Sequence, residues 1–406
     1  MKRSWVFAGL LLSSVCIAAP DEAALGKAEG YPVCALTRGH TGPDRCLVGL
    51  FSHMDEVFPA HKVAHGAQVR ALGRASAEPA IFWRFLGQGE VRNLDFFLEH
   101  SRTTGLLILQ GDTILVERYQ YDRTPQHRFQ SMSMAKTVVA MLVGIAVSEK
   151  FIKSIDDRAE QYVPELKGQP YGETSLRHLL TMSSGIKFLE EYSETDDNAT
   201  LNDKTYRQQG KGGADAVAEF RTRENPPGTK FHYVSADTQV LALVLRAAVG
   251  RPLAEYLSEK IWRPMGAEAD ATWLVDAGGY EVGYVGLNCT LRDWGRLGLL
   301  LANGGAVDGR QIVPADWVRA MTTPDAPHLA VGAASRNSGY GYQTWLIDAS
   351  EPYFALLGLR GQAIIVDPKT KLVMVFTAAN RLNDFAARSE QNSLFYGALY
   401  SLKPKI

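Results

Sequence analysis

The chain has 406 residues, 43 of them basic and 44 acidic, for a formal net charge of -1, and 46% of its residues are hydrophobic. That balance gives no electrostatic reason to expect nucleic acid or an anionic membrane surface as a partner. The length accommodates two domains, or one large domain with an insertion.

The N-terminus, MKRSWVFAGLLLSSVCIAAP, has a basic start, a short apolar core from Trp5 to Leu12 and small residues at Ala18 and Ala19. It reads as a signal peptide over residues 1–19, which implies a periplasmic or secreted protein. A lipoprotein centred on Cys16 is less well supported, because Ser13 and Val15 suit that pattern poorly. No stretch is long and apolar enough to span a bilayer. Past the leader remain Cys34, Cys46 and Cys289. Turn residues Gly39, Gly42, Pro43 and Asp44 lie between the first two, so a disulfide could close that loop and contribute about 2–3 kcal/mol. The rival is a metal site using His40, or His61 and His65, but no closely spaced ligand pairs support it. Cys289 reads as a small buried hydrophobe.

From Asp21 to about Arg92 the sequence shows little periodicity and reads as a segment wrapped around a core built elsewhere. LDFFLEHS (94–101) predicts a short helix. GLLILQ, the Gly111-Asp112 turn and TILVERYQY predict a hairpin. It leads into FQSMSMAKTVVAMLVGIAV (129–147), a helix with no face polar enough to meet water. Between about 156 and 285 helical spacing dominates, in RHLLTMSSGIKF, ADAVAEFRTRE, TQVLALVLRAAVG and PLAEYLSEKIW, with an acidic run over 190–197 whose default reading is a solvated loop. Two amphipathic helices follow, and strands return in YGYQTWLI, AIIVDP and KLVMVFTA. The expected fold is α+β: an antiparallel sheet flanked by helices, built from 20–155 and 286–406, with an all-helical domain inserted over 156–285.

Lys136 is the only charged side chain of the buried helix, and Ser133 lies three residues before it on the same face. Desolvation lowers a lysine pKa and makes a neutral, proton-accepting amine accessible near neutral pH, beside a hydroxyl. Ser133 would also lie where free backbone N–H groups and the positive end of the helix dipole favour a developing oxyanion. S-x-x-K is a loose pattern, and the ordinary alternative is an N-cap serine with a snorkelling lysine. A second match, Ser184 to Lys187, contains Gly185 in a polar stretch that would not bury its lysine. A proton donor for the leaving group is also needed, and Tyr233 is the candidate. It follows the turn-forming Pro226-Pro227-Gly228 and precedes a helix, whereas Tyr256, in a similar Y-x-S, lies within a helical pattern and reads as a packing residue.

In order along the chain, SMSMAKT, HLLTMSSG, PPGTKFHYVS, IWRPMG, TLRDWGRLG, YGYQTW and GLRGQ resemble the motifs of the serine β-lactamase and penicillin-binding superfamily, roughly from Leu94 to the C-terminus. The likeness is greatest to the class C-type esterase branch that includes 6-aminohexanoate-dimer (nylon-oligomer) hydrolases. It implies a hydrolase without metal or other cofactor, acting on a small ester or amide, with Ser133 as nucleophile, Lys136 and Tyr233 sharing the proton, and the N–H groups of Ser133 and Leu359 as oxyanion hole. Tyr192, Ser235, Asn288 and Arg360 are candidate substrate contacts. Two departures stand out. Leu356-Leu357-Gly358 occupies the place of the K-T-G or H-T-G triplet, and Ser235 stands where β-lactamases commonly have Asn. Both argue against efficient β-lactam hydrolysis and leave esterase or amidase chemistry open. A D,D-peptidase and a catalytically silent binding protein are the alternatives.

Overall fold

A computed structural model describes residues 19–34 and 42–403. Except for Ala19, the expected leader lies outside the described residues, as does His40.

The hairpin forms as the sequence predicts, from the strands Thr103–Gln110 and Thr113–Tyr119 joined at Gly111 with φ 54°. It is part of an eight-stranded sheet whose spatial order is Gly339–Tyr340, Trp345–Leu346, Phe354–Leu357, Ala363–Asp367, Leu372–Ala378, Thr103–Gln110, Thr113–Tyr119 and Gly73–Arg74. Every pairing is antiparallel except the last, at the edge. Strands from both ends of the chain therefore share one sheet with helices on both faces, and its antiparallel pairing makes the fold α+β rather than α/β.

Side-chain alternation splits the core in two. Leu107, Leu109, Val373 and Val375 face the large core that contains the helix Met134–Ser148. Leu106, Ile108, Met374 and Phe376 face a smaller one closed by Phe97 and by Phe395 of the C-terminal helix Phe385–Ser401. The helix Leu291–Ala302 lies on the large-core face, and its glycines set the distance. A Cβ at Gly295 would come 2.7 Å from Leu107 Cδ2, and one at Gly298 would come 2.5 Å from Val373 Cγ1.

Every residue from Met134 to Ala146 of the central helix is buried, so its near-continuous apolarity matches its surroundings. The segment 156–285 supplies the helices Leu176–Leu180, Asp197–Lys204, Ser235–Val249 and Leu253–Leu257. It ends in the strand Ala271–Leu274, which joins Ala60–Val63, Leu287–Cys289 and Phe129–Gln130 in a second, four-stranded sheet.

The early wrapping segment is more ordered than its pattern suggests. Leu47–Val57 is a helix buried on nearly every side along its first two turns, with no capping side chain at its start. It therefore lacks both the amphipathic stripe and the N-cap that would announce it. Gly49 admits the neighbouring backbone, since a Cβ there would lie 2.4 Å from the carbonyl oxygens of Tyr31 and Pro32. Cys34 and Cys46 are joined as a disulfide beside this helix, with Cα atoms 5.6 Å apart. Cys289 is free and buried. His61 and His65, weighed as metal ligands, instead meet carboxylates: His61 Nδ1 is 2.8 Å from Glu281 Oε1 and His65 Nδ1 is 2.5 Å from Asp270 Oδ1.

Candidate active site

The turn into the central helix is held from both sides. Phe129–Gln130 pairs with Leu287–Cys289, and Ser131 N–H donates to Leu287 O at 2.8 Å. Met132 then takes the left-handed conformation, φ 44°, its N–H bonded to the Gln130 side chain. A non-glycine residue there is strained, and the surrounding pairings hold the strain next to Ser133, which occupies the N-cap position.

Lys136 Nζ lies 2.8 Å from Ser133 Oγ and 3.4 Å from Tyr284 O. Lys136 is 1% exposed. Burial lowers its pKa from 10.5 to about 8, while the negative charge of Glu190 acts in the opposite direction. The ammonium faces aromatic walls, 4.8 Å from the ring centre of Tyr233 and 5.6 Å from that of Tyr284. Tyr233 is hydrogen-bonded to Ser133, and burial, reinforced by Glu190, raises its pKa so that the phenol stays protonated. A proton acceptor, a hydroxyl and a proton donor therefore meet at Ser133 Oγ.

A network too dispersed to read from sequence fixes these groups. Gln343, itself at φ 52°, donates from Nε2 to Leu179 O and Leu180 O, accepts from Thr238 Oγ1 at 2.7 Å, and its carbonyl accepts from Thr137 Oγ1 at 2.6 Å. It thereby ties the central helix to the helices Leu176–Leu180 and Ser235–Val249. Two residues later Trp345 stacks on Tyr233, with ring centres 5.5 Å apart.

Leu359 sits in the turn 358–362 between the strands Phe354–Leu357 and Ala363–Asp367. Gly358 presses against the nucleophile turn; a Cβ there would lie 2.5 Å from Ser131 O and 3.0 Å from Met132 Cβ. Among the described residues neither the Ser133 N–H nor the Leu359 N–H donates to a protein acceptor, so both remain available to a ligand oxygen.

Ser133, Tyr192, Tyr233, Trp345, Leu359 and Arg360 all line one cavity of about 540 Å³. Two of the expected contacts, Asn288 and Ser235, require correction. Asn288 is 1% exposed on the strand Leu287–Cys289, does not line the cavity, and donates to Thr272 Oγ1 and Gly286 O. Ser235 is also buried and outside the lining, and its hydroxyl donates to Glu190 Oε1 at 2.7 Å. Arg360, on the cavity lining, is 7% exposed, and its Nη1 donates to Asn380 O at 2.9 Å.

The acidic run is not simply a solvated loop. Glu190 turns inward, accepts from both the N–H and the hydroxyl of Ser235, bonds Tyr192, and has its pKa raised by burial. Asp196 is buried as well and caps the helix Asp197–Lys204. Neither of the competing patterns joins the site. Lys187 is exposed, and Tyr256 donates to Glu149 at 2.8 Å. Glu190 and Tyr284 carried no local signal of their positions, and Gln343 and Trp345, although they lie in the YGYQTW motif, carried none of these contacts.

A sheet bearing strands from both chain ends, with an S-x-x-K serine at the start of a buried helix, defines the serine β-lactamase and penicillin-binding class of fold. The Beta-lactamase family model matches residues 95–394, and the chain belongs to that family. It is 28% identical over 333 residues to a 6-aminohexanoate-dimer hydrolase of Paenarthrobacter ureafaciens, covering 80% of this chain and 83% of that protein. Among solved structures it resembles one titled "Putative 6-aminohexanoate-dimer hydrolase from Bacillus anthracis", with a TM-score of 0.78 at 24% identity, covering 89% and 96% of the two chains. A penicillin-binding protein from Bacillus halodurans shares the fold at a TM-score of 0.58 and 17% identity, covering 74% of this chain and 99% of that one.

Proposed function

We propose that this chain is an exported serine hydrolase of small esters or amides that works through an acyl-enzyme on Ser133. The observation that carries the reading is the 2.8 Å contact between Ser133 Oγ and a buried lysine whose pKa falls to about 8. As Oγ attacks the carbonyl carbon its proton passes to neutral Lys136, and the carbonyl oxygen gathers negative charge opposite the N–H groups of Ser133 and Leu359. Tyr233 gives its phenolic proton to the departing oxygen or nitrogen and is reprotonated from Lys136. The acyl group stays on Oγ. Water then attacks the ester, the same two side chains return the proton to Ser133, and the acid leaves.

The similarity to a 6-aminohexanoate-dimer hydrolase supports linear amides as well as esters as substrates. Leu356-Leu357-Gly358 at the third-strand position supports neither β-lactamase nor D,D-peptidase activity. The test is an activity screen with short-chain p-nitrophenyl esters, linear amides, D-amino-acid peptides and a fluorescent penicillin. Ester or amide turnover lost in Ser133→Ala supports the reading. Turnover that survives in that variant overturns it, and rapid, stable penicillin labelling without ester turnover places the chain among the peptidases.

A further inference from the structure

Half of the ten large apolar side chains that are exposed among the described residues gather at one place: Phe82, Leu86, Val91, Tyr396 and Tyr400. All five line a hollow of about 710 Å³, larger than the catalytic cavity and sharing no residue with it. It lies between the C-terminal helix Phe385–Ser401 and a hairpin formed by the strands Trp83–Phe85 and Gln88–Arg92.

The hairpin is fastened along the helix. Leu86 N–H donates to Ser393 Oγ at 3.0 Å, Trp83 Nε1 to Glu390 Oε1 at 2.6 Å and Phe82 N–H to Ser401 Oγ at 3.3 Å. Gly397 permits this approach, since a Cβ there would come 2.6 Å from Trp83 Cβ. At the tip Leu86 takes the left-handed conformation, φ 48°. A fixed backbone therefore holds the apolar side chains outward, with Leu86 64% and Tyr400 80% exposed. Surface that is already rigid loses little conformational entropy when it is covered.

Size and charge indicate what covers it. An aromatic side chain carries about 150–250 Å², so these five residues leave on the order of 600 Å² of apolar surface open. That is at the upper end for a monomer and, with a polar rim, close to the roughly 800 Å² that each partner gives to a stable interface. Arg84 is the one charged side chain lining the hollow, and its guanidinium donates to Gly89 O. Little charge with Phe, Trp and Tyr at the centre is the composition of a protein interface, and one engaged cation gives anionic lipid little to attract it. Projecting side chains and a hollow on the same patch also meet the condition for a two-fold contact, in which one patch must complement itself.

We propose that two copies of this chain associate through this face, with Leu86 and Tyr400 of each copy packed against the hollow of the other. The proposal is independent of the serine chemistry.

Sedimentation velocity and light scattering of the full chain across about 0.5–100 μM test it, the range in which a micromolar dimer forms and dissociates. The expected result is twice the mass of one chain at the top of the range, falling to one chain on dilution. Leu86→Glu and Tyr400→Glu alter exposed positions and should leave folding intact, yet each should weaken association by ~30-fold or more. Hydrogen exchange of the unaltered chain gives a reading that needs no variant: amides of 82–92 and 393–401 should slow as concentration rises. A chain that stays monomeric throughout overturns the proposal, including one that instead floats with phosphatidylethanolamine–phosphatidylglycerol vesicles. Association that both variants leave unchanged, or protection confined to another surface, overturns it as well.

Discussion

Lys136 can accept the Ser133 proton only when neutral, so its titration should appear directly in the rate. An exposed lysine with a pKa of 10.5 is neutral in only about three molecules in ten thousand at pH 7. With burial lowering the value to about 8, roughly one molecule in ten is neutral at pH 7 and nine in ten at pH 9. The charged or titratable groups facing Nζ are Glu190, Tyr233 and Tyr284; both tyrosines are shifted upward by burial and so stay neutral across this range. The kcat/KM for a short-chain p-nitrophenyl ester should therefore rise with pH through a single limb centred near 8 and level off above about 9, a gain of ~10-fold from pH 7. The assay is initial rates at low substrate, corrected for spontaneous hydrolysis at each pH. A flat profile from pH 6.5 to 9.5, or a limb near 10.5, would refute the claim that desolvation arms the serine.

Other outcomes follow from the same geometry. Glu190→Gln removes a negative charge that favours protonated Lys136, so the limb should move to lower pH, as the same rate profile on the variant would show. Tyr233→Phe keeps the ring that stacks on Trp345 but loses the phenolic donor. Its kcat should fall by ~10²–10⁴, with thermal unfolding little changed by calorimetry. Gly358→Ala places a methyl 2.5 Å from Ser131 O, so the turn that carries Leu359 must shift. A stability loss of ~1–3 kcal/mol by denaturant unfolding should accompany a fall in kcat larger than the change in KM.

The parts of the site that could be read from sequence are those encoded locally. Ser133 and Lys136 are one helical turn apart in an apolar run, and Tyr233 follows a Pro-Pro-Gly turn, so each carries its own signal. The hairpin and the strands Ala363–Asp367 and Leu372–Ala378 were legible for the same reason, as apolar runs bounded by turn residues, whereas YGYQTWLI, expected as a strand, folds as two short ones, Gly339–Tyr340 and Trp345–Leu346, around a turn. What escaped was set by tertiary contact. Glu190 sits in an acidic run that resembles any solvated loop until the start of the helix Ser235–Val249 packs against it. Gln343 gains its role only by meeting elements that come from distant parts of the chain. Asn288 misled because its strand presents its amide to Thr272 and Gly286, which no count of residues along the chain reveals.

The central claim is that Ser133 carries the acyl group. Intact-mass analysis of the protein quenched in acid during turnover of a slowly hydrolysed ester, followed by peptide mapping, tests it most directly. The expected result is one acyl adduct on the peptide containing Ser133, absent from Ser133→Ala. An adduct on any other peptide, or one that persists in the variant, would contradict it.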